Sequence, residues 1–302
     1  MPTAEKGILH VEGHELTITN PEKPLWPEAG ITKLMYLEKL AALSPYLIPY
    51  CRGRFLTVIR FPHGVHGKSF YQKNAPEPLP PFVGTAQSGD IRHVRLDNLP
   101  TLLWLGNLAA LEFHPSCERI GSAEPSEWIL DIDPPREGDP RLMEAVGTVG
   151  EVLESLGIAA VPKTSGATGA QIFVPLREGC TFRQLRALGE FVGKYLAEKY
   201  PALFTLERLK KDRGNRIYFD YLQHWPGKTL AAPYTPRATP SATVSAPLTW
   251  DEVRRNADPA SFNLLTIEKR LETHGDLIRR VPPQDLGPIL KFIGKSSLFP
   301  LL

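Results

Sequence analysis

The sequence predicts an α/β (α+β) protein, because strand and helix patterns alternate along its middle and a smaller mixed segment precedes them. From residue 128 to residue 221 the order is strand, helix, strand, turn, strand, helix, strand, which is typical of an α/β module of about 100 residues. No linker rich in glycine and serine divides the chain. We therefore predict one compact unit, with an N-terminal lobe over about residues 1–125, an α/β module over about 126–225 and a C-terminal region of loops and short helices over about 226–302.

Hydrophobic periodicity predicts the elements of the N-terminal lobe. Alternating apolar residues over 7–20 indicate a hairpin. From Thr32 onward leucines recur at helical spacing, with Lys33 and Lys39 expected on the solvent face. The other expected elements are strands over 55–61 and 69–73, a proline-rich loop over 76–81 and a buried helix over 99–111.

In the α/β module, an apolar run that ends at two prolines indicates the first strand. Leucines and valines at helical spacing before Gly157 indicate the first helix. The elements expected from here on are a strand over 128–133, a helix over 141–156, strands over 159–163 and 171–175 around a turn at 164–169, a helix over 182–200, a strand over 216–221, a proline-rich loop over 233–247 and a short helix over 250–256.

Composition excludes several classes of protein. Hydrophobic residues make up 42% of the chain and charged residues 23%, which excludes disordered, collagen-like and coiled-coil proteins. The net charge of +2 neither requires nor excludes a polyanionic partner. The three cysteines lie far apart without a Cys-x-x-Cys motif, which argues against a disulfide framework or a zinc site. Because there is no signal-peptide pattern and the most apolar stretch, 102–113, is too short to span a membrane, we expect a soluble, cytoplasmic protein.

Two aspartates in the first strand of the α/β module are the sharpest chemical feature. Asp131 and Asp133 alternate along the strand, so both carboxylates share one face. Like charges this close raise each other's pKa unless a cation lies between them, and Mg²⁺ or Mn²⁺ prefers such oxygen ligands. Asp220 ends a second strand-like run and would complete a two-metal site for phosphoryl or nucleotidyl transfer.

The same acids are also compatible with different roles. Asp-x-Asp before prolines also occurs at solvated strand ends, and a lone aspartate such as Asp220 is usually a turn residue. A glycosidase also uses two carboxylates, but adjacent positions on one strand seldom give the separation that its reaction needs.

A glycine-containing turn and two basic runs are candidates for binding an anion. The turn over 164–169 allows backbone N–H groups to approach a phosphate, although it lacks the P-loop pattern and most such turns are only turns. Residues 208–216 hold five basic residues and one acid, and a second basic run spans 52–60. Such runs are usually solvated faces, but a cationic wall beside the acids would suit a polyphosphate or a nucleic-acid backbone. A lone histidine such as His114 is ordinarily a core residue.

Short motifs occur in a fixed order along nearly the whole chain. They are NPEKPLWP (20–27), RGRFLT (52–57), GKSFYQK (67–73), LEFHP (111–115), WILDIDP (128–134), TSG (164–166), DYLQ (220–223), APYTPR (232–237) and TWDEV (249–253). Their order and spacing resemble the polymerase (primase–polymerase) domain of bacterial non-homologous end-joining DNA ligases of the ligase D type, in the archaeo-eukaryotic primase superfamily. The resemblance runs over about residues 16–280.

The resemblance implies a primase-like bilobal core, in which an RNA-recognition-like module packs on a second β-containing lobe with the cleft between them. It implies a nucleotidyltransferase that adds NTPs or dNTPs at DNA ends and gaps during double-strand break repair. The implied partners are DNA ends or gapped DNA with a 5′-phosphate, Ku and a DNA ligase, with no membrane, in a nucleoid-associated cytoplasmic location. Because no ligase or nuclease domain is recognisable and both ends look complete, we expect a stand-alone member.

The matching motifs also imply roles for individual residues. Two Mn²⁺ or Mg²⁺ ions would bind Asp131, Asp133 and Asp220, which are therefore the expected catalytic residues. An aromatic residue of the segment 61–70 would stack on the base, and Phe61 is the expected one. The other expected nucleotide-binding residues are His114, Ser165, Thr168, Gln171, Arg213, Gln223 and Arg237. The expected DNA-binding residues are Arg52, Arg54 and Lys73.

The turn departs from the pattern of the family that it resembles. That pattern reads Ser-Gly-x-Lys-Gly-x-His, whereas Thr168 stands here in place of the lysine and Gln171 in place of the histidine. Each lost charge-assisted contact would cost roughly 1.5–3 kcal/mol, about ten- to a hundredfold in affinity. Lys163, Arg213 or Arg216 could compensate in part.

Three functional hypotheses follow. The first is a working DNA-dependent nucleotidyltransferase, since all three metal-binding acids are present. The second is a catalytically weakened module that holds DNA ends for partners, favoured by Thr168 and Gln171. The third is a metal-dependent phosphoesterase that uses the same acids.

Overall fold

The computed structural model describes residues 6–295, which fall into two compact units. The first unit comprises residues 6–116, Thr229–Ser245 and Ala260–Thr273; the second comprises Cys117–Lys228, Ala246–Pro259 and residues 274–295. Residues 1–5 of the expected N-terminal lobe and 296–302 of the expected C-terminal region lie outside the described residues. None of the helices described is both long and apolar enough to cross a membrane.

Helices and strands are mixed throughout, which confirms the predicted fold class. The helices are α1 (Lys33–Cys51), α2 (Leu99–Asn107), α3 (Leu142–Ser155), α4 (Phe182–Lys199), α5 (Trp250–Arg254), α6 (Ile267–His274) and α7 (Gly287–Lys295). The strands are β1 (Lys6–Val11), β2 (His14–Thr19), β3 (Pro24–Trp26), β4 (Ile31–Thr32), β5 (Arg54–Arg60), β6 (Phe70–Gln72), β7 (Gly84–Ser88), β8 (Ile91–Arg95), β9 (Ala110–Arg119), β10 (Glu127–Asp133), β11 (Val161–Thr164), β12 (Ala170–Pro175), β13 (Phe204–Thr205) and β14 (Ile217–Asp220).

The first unit is organised around α1 and a three-stranded sheet in the order β6-β5-β9. The Thr32 side chain accepts a hydrogen bond from the backbone N–H of Met35 and so caps α1, as the sequence predicts. The predicted leucine face of α1 is buried and packs against α2. The predicted hairpin also forms, with β1 antiparallel to β2.

Lys33 corrects the expected solvent face of α1, because its side chain is only 4% exposed. The ammonium donates hydrogen bonds to the carbonyl oxygens of Thr19 (2.5 Å) and Asn107 (3.0 Å), so it joins the hairpin to the last turn of α2. Burial, together with the nearby charge of Lys23, lowers the pKa of Lys33 to about 8. The lysine is therefore a structural link, and Lys39, which pairs with Glu268, is the solvent-side residue.

The helix expected over 99–111 ends earlier, at Asn107, and the chain continues as a strand from Ala110. Ala109 adopts a left-handed conformation with φ 58°, which stops the helix and redirects the backbone. The expectation was wrong for these last residues because their apolar character fits a buried strand as well as a buried helix. The correction moves His114 from the end of a helix into β9.

The second unit contains a five-stranded sheet in the order β11-β12-β10-β14-β13. The central strand β10 is antiparallel to both neighbours, and its register places Asp131 opposite Gln171 on β12 and opposite Asp220 on β14. Buried residues on β10, including Trp128 and Ile132, hold it in the core. The strands, helices and turn expected between residues 128 and 221 are all present, with the short parallel strand β13 in addition.

Close packing of α5 on α3 requires a glycine at position 150. A Cβ atom at Gly150 would lie 2.4 Å from two ring carbons of Trp250, whereas one at Gly147, also on α3, would lie 3.7 Å from the nearest atom, in Val253. The indole ring has little freedom to move away, because its N–H donates to the Ala160 carbonyl at 3.1 Å. The two glycines therefore form a matched pair with opposite steric surroundings.

Substitution of this pair tests the packing directly. We expect Gly150→Ala to lower the free energy of unfolding by about 1–3 kcal/mol, because the methyl group displaces the indole. Gly147→Ala gains helix propensity without a clash, so it should raise that free energy by up to about 1 kcal/mol. Urea unfolding of both variants measures the difference, and equal effects would show that Trp250 is not held as described.

Candidate active site

Three carboxylates converge on the adjacent interior strands β10 and β14 of the five-stranded sheet in the second unit. Asp131 and Asp133 share a face of β10, as predicted, and Asp220 ends β14 directly opposite Asp131. One oxygen from each carboxylate lies within 4.8 Å of the other two, and all three residues are half-buried. We call these residues the acidic triad. An all-oxygen donor set of this kind fits Mg²⁺ or Mn²⁺.

The triad is electrostatically strained without a cation. Burial, reinforced by the charges of Asp133 and Asp220, raises the pKa of Asp131 to about 7. Burial also raises the pKa of Asp133, with Asp220 adding to the effect and Arg213 opposing it. At neutral pH Asp131 is therefore partly protonated, and a divalent cation bound by the triad would displace that proton.

Gln171 supports Asp131 from the neighbouring strand. Its Nε2 donates to Asp131 Oδ1 at 3.0 Å, and its side chain is 3% exposed. The other amide atom, Oε1, is buried and has no hydrogen-bond partner among the described residues. Lys163, fully buried on β11 opposite Gln171, further lowers the pKa of Asp131. The structure thus places Gln171 against a triad carboxylate.

The turn between β11 and β12 lies directly against β10. A Cβ atom at Gly169 would lie 2.6 Å from the Ile132 carbonyl oxygen and 3.4 Å from an Asp133 carboxylate oxygen, so only glycine allows this approach. Ser165 Oγ accepts hydrogen bonds from the N–H groups of Ala167 and Gly169, both at 3.1 Å. Ser165 therefore shapes its own turn, while Thr168 is exposed at the tip.

Arg213 connects the basic run 208–216 to the triad. Its guanidinium lies 3.8 Å from the centre of the Tyr218 ring and donates to the carbonyls of Glu207 and Arg208, both at 3.0 Å. These contacts fix its direction, and its charge lowers the pKa of Asp133. Gln223 follows β14 closely, and its Oε1 lies 3.5 Å from the ammonium of Lys228.

The first unit brings two expected site residues, His114 and Arg237, together with Glu112, and we call these three residues the Glu112 cluster. His114 Nε2 lies 2.9 Å from Glu112 Oε2, and Arg237 Nε lies 3.0 Å from the same oxygen. Glu112 Oε1 accepts a hydrogen bond from the N–H of Ala238. His114 is thus one member of a charged cluster, and the structure brings it together with Arg237.

The remaining expected residues differ in exposure. Phe61 lies in the hydrophobic core with 9% of its surface exposed, whereas Phe70 is 44% exposed, and the Arg60 guanidinium lies 5.2 Å from the Phe70 ring centre. Arg54 is 4% exposed and donates to the Ser116 carbonyl, so its guanidinium is part of the core. Arg52, which donates to the Asp97 carbonyl, and Lys73 are exposed.

Sequence reasoning missed the positions of two charged residues in these clusters. Glu112 lies two residues before His114 in the LEFHP motif, a spacing that reveals a shared face only when the segment is assigned to a strand. The sequence suggests Lys163 only as a possible substitute for the lysine that the turn lacks. Nothing in the sequence indicates that the Lys163 side chain is fully buried.

Comparison with known proteins places the chain in a family. The family model for the LigD primase-polymerase domain matches residues 32–278. The bifunctional non-homologous end joining protein LigD of Bacillus subtilis is 37% identical over 289 residues, which cover 94% of this chain and 47% of that protein. The multifunctional non-homologous end joining DNA repair protein LigD of Mycobacterium tuberculosis is 30% identical over 283 residues, covering 88% of this chain and 37% of that protein.

A solved structure agrees with the sequence matches. The polymerase domain from Mycobacterium tuberculosis ligase D in complex with DNA superimposes with a TM-score of 0.80 and 30% sequence identity, covering 88% of this chain and 97% of that one. The chain spans less than half the length of these two full-length relatives. Sequence and fold together show that the chain belongs to the LigD primase-polymerase domain family.

Proposed function

We propose that this protein is a DNA-dependent nucleotidyltransferase that adds NTPs or dNTPs at DNA ends and gaps during non-homologous end joining. The observation that carries the proposal is the acidic triad, whose three carboxylates meet within 4.8 Å on paired strands. Family membership supports it, as does the match to a polymerase domain in complex with DNA. The proposed partners are DNA ends or gapped DNA with a 5′-phosphate, Ku and a DNA ligase, in a nucleoid-associated cytoplasmic location.

The triad is the proposed binding site for two Mn²⁺ or Mg²⁺ ions. Bound there, the ions would lower the pKa of the primer 3′-hydroxyl and neutralise the triphosphate and the leaving pyrophosphate. Asp131, Asp133 and Asp220 would supply the ligand oxygens, while Gln171 keeps Asp131 oriented through its amide hydrogen bond. Arg213, already fixed by two carbonyls and the Tyr218 ring, would present a cation to the triphosphate.

Other residues complete the proposed contacts. Ser165, Thr168, Gln223, His114 and Arg237 are the proposed additional contacts to the nucleotide, and Arg52 and Lys73, both exposed, are the proposed contacts to DNA. The buried guanidinium of Arg54 supports a structural role instead. For the base-stacking ring, the exposure of Phe70 favours it over Phe61, whose role stays a prediction.

A DNA-end-binding module with weakened catalysis is the second candidate function. Thr168 is exposed at the tip of the turn without a positive charge, and the neutral Gln171 contacts Asp131. Both observations favour a weak hold on the triphosphate. This candidate predicts salt-dependent DNA binding without metal-dependent extension.

Primer extension on gapped DNA with a 5′-phosphate, in Mn²⁺ and with each NTP or dNTP, tests the proposed function. We expect extension by the natural protein and a loss of at least a hundredfold in Asp131→Ala, because the triad loses a ligand. Asp90→Ala, at an exposed turn in the first unit, is the matched control and should extend normally. Identical rates for the natural protein and Asp131→Ala would refute metal-assisted catalysis, and release of nucleotides would identify a phosphoesterase.

Restoring the family pattern in the turn tests the nucleotide site. We expect Thr168→Lys combined with Gln171→His to lower the KM for NTP about tenfold or more, because one charge-assisted contact to a phosphate is worth roughly 1.5–3 kcal/mol. The single variant Thr168→Lys measures the effect of the added cation at the tip of the turn, and Gln171→His measures the effect of changing the hydrogen-bond donor to Asp131. Ala167→Lys, which adds the same charge at the neighbouring exposed position, is the control. An unchanged or higher KM in the double variant would mean that the turn does not contact the triphosphate.

The raised pKa of Asp131 makes the stability of the metal-free protein depend on pH. Its pKa is about 7 in the folded state against an ordinary value of 3.8, so the folded state holds the extra proton between these values. The contribution of this group to the free energy of unfolding therefore falls as pH rises from about 4 to 7 and stays low above that interval.

Asp131→Asn removes this penalty. Above pH 7 and in EDTA, we expect the variant to be more stable than the natural protein by up to about 4 kcal/mol, since the pKa of Asp131 lies about three units above its ordinary value and each unit is worth about 1.4 kcal/mol. The difference should shrink towards pH 4, and Mn²⁺ should stabilise the natural protein more than the variant. Thermal melts at several pH values measure it, and equal melting temperatures at high pH would contradict the assigned pKa.

A further inference from the structure

One carboxylate, that of Glu112, is shared by two residues proposed above to contact the nucleotide. Glu112 is 6% exposed, and burial by itself would raise its pKa. The hydrogen bond to His114 and the charge of Arg237 outweigh that effect, so the net shift of the Glu112 pKa is downward and the group is ionised at neutral pH. A buried carboxylate is tolerated only with such partners.

Arg237 depends on Glu112 for its direction. The backbone N–H of Arg237 donates to the Thr243 carbonyl at 2.8 Å, and its carbonyl accepts a hydrogen bond from the buried Trp26 indole at 3.3 Å. The main chain is therefore fixed on both sides of the residue. Arg237 Nε lies 3.0 Å from Glu112 Oε2, an ion-pair contact without the alignment of a hydrogen bond, which draws the guanidinium towards the carboxylate.

His114 depends on the same oxygen. It lies two residues after Glu112 on β9, so both side chains project from one face of the strand. The 2.9 Å contact assigns the proton to Nε2, which donates to the carboxylate. The contact with Glu112 therefore helps to orient the ring, and the acceptor-only carboxylate favours a proton on Nε2.

The energetics favour a role in positioning. A buried ion pair adds little net stability, because desolvation offsets most of the attraction, and an apolar pair of similar volume is often as stable. A negative charge beside two groups that would bind an anion also opposes that binding. The role that accounts for this carboxylate is to hold the side chains of Arg237 and His114 in one orientation before binding, because side chains that are already oriented lose less entropy on binding.

We propose that Glu112 is a positioning residue for the nucleotide, which holds Arg237 and His114 in the orientation that binds its phosphate or sugar. The inference rests on the proposed function of this protein and extends it to a residue that itself does not touch the substrate. It predicts an effect on nucleotide affinity with little effect on the chemical step.

Glu112→Gln tests the inference, because the amide keeps the shape and one acceptor oxygen but loses the charge. We expect the Kd for ATP with Mn²⁺ and the KM in primer extension to rise about tenfold, with kcat within about twofold of the natural protein. NMR of the histidine ring nitrogens should show that His114 loses its fixed Nε2–H form. Asp139→Asn, which breaks another buried carboxylate–arginine pair with Arg141, is the matched control and should leave the Kd unchanged.

A second variant covers the case in which Glu112→Gln does not fold. Glu112→Asp keeps the charge but withdraws the carboxylate by one methylene, so it too should raise the Kd and KM. In an Arg237→Ala background, either Glu112 substitution should have a smaller effect than alone, as expected for a residue that acts through Arg237.

The outcomes separate this inference from the proposed function. If Arg237→Ala and His114→Ala raise the Kd while a folded Glu112 variant does not, the positioning role is overturned and the nucleotide site stands. If neither Arg237→Ala nor His114→Ala changes the Kd, the nucleotide role of the cluster is wrong and the inference fails with it. If binding behaves as expected but no variant or natural protein extends a primer, the inference holds and the proposed polymerase activity fails.

Discussion

The pairing of β10 with β14 is the constraint on which the rest of the second unit depends. The two-residue period of a strand places Asp131 and Asp133 on one face, and the register between the strands adds Asp220 opposite Asp131. Bringing three carboxylates together costs free energy, which is visible in the raised pKa of Asp131. The surrounding core has to hold this arrangement rigidly enough that the strands do not separate to relieve the repulsion.

Glycines show how closely the core approaches these strands. A Cβ atom at Gly193 on α4 would lie 3.0 Å from the Phe219 ring on β14, and one at Gly189 would lie 2.9 Å from Tyr221. Gly169, in the turn between β11 and β12, brings that turn against the Ile132 carbonyl of β10. These close contacts between backbone and side chain leave the carboxylates little room to move apart. Packing thus holds the acidic triad together against the repulsion of its own charges, and a bound cation would turn that repulsion into attraction.

Local patterns predicted most of the fold and the acidic triad, because those features follow from the period of helices and strands. Asp131 and Asp133 could be placed on one face from their spacing alone, and Asp220 from its position at the end of a strand-like run. The features that local patterns did not predict depend on single backbone angles or on contacts with residues that are distant in the sequence. Because Ala109 adopts a left-handed conformation, the segment expected to continue as a helix forms β9 instead, and the sequence did not indicate that Glu112 shares a face with His114. Because Lys33 donates hydrogen bonds to the carbonyls of Thr19 and Asn107, a side chain expected at the surface is buried. Neither has a signature within a few residues of sequence.

The basic residues near the triad have different roles, and these roles bear on how the absence of a lysine from the turn should affect nucleotide binding. Lys163 is fully buried and faces Gln171, so its charge tunes Asp131 but cannot reach a substrate from solvent. Arg213 is fixed beside Asp133 and opposes the rise in the pKa of that carboxyl, and it remains our proposed cation for the triphosphate. If the turn contacts the triphosphate as we propose, Thr168 lacks a charge that the buried Lys163 does not replace, while the three carboxylates of the acidic triad are all present. Under the proposed function, the absence of this charge should therefore weaken nucleotide binding more than the metal-assisted step, so that it changes mainly KM and only slightly kcat.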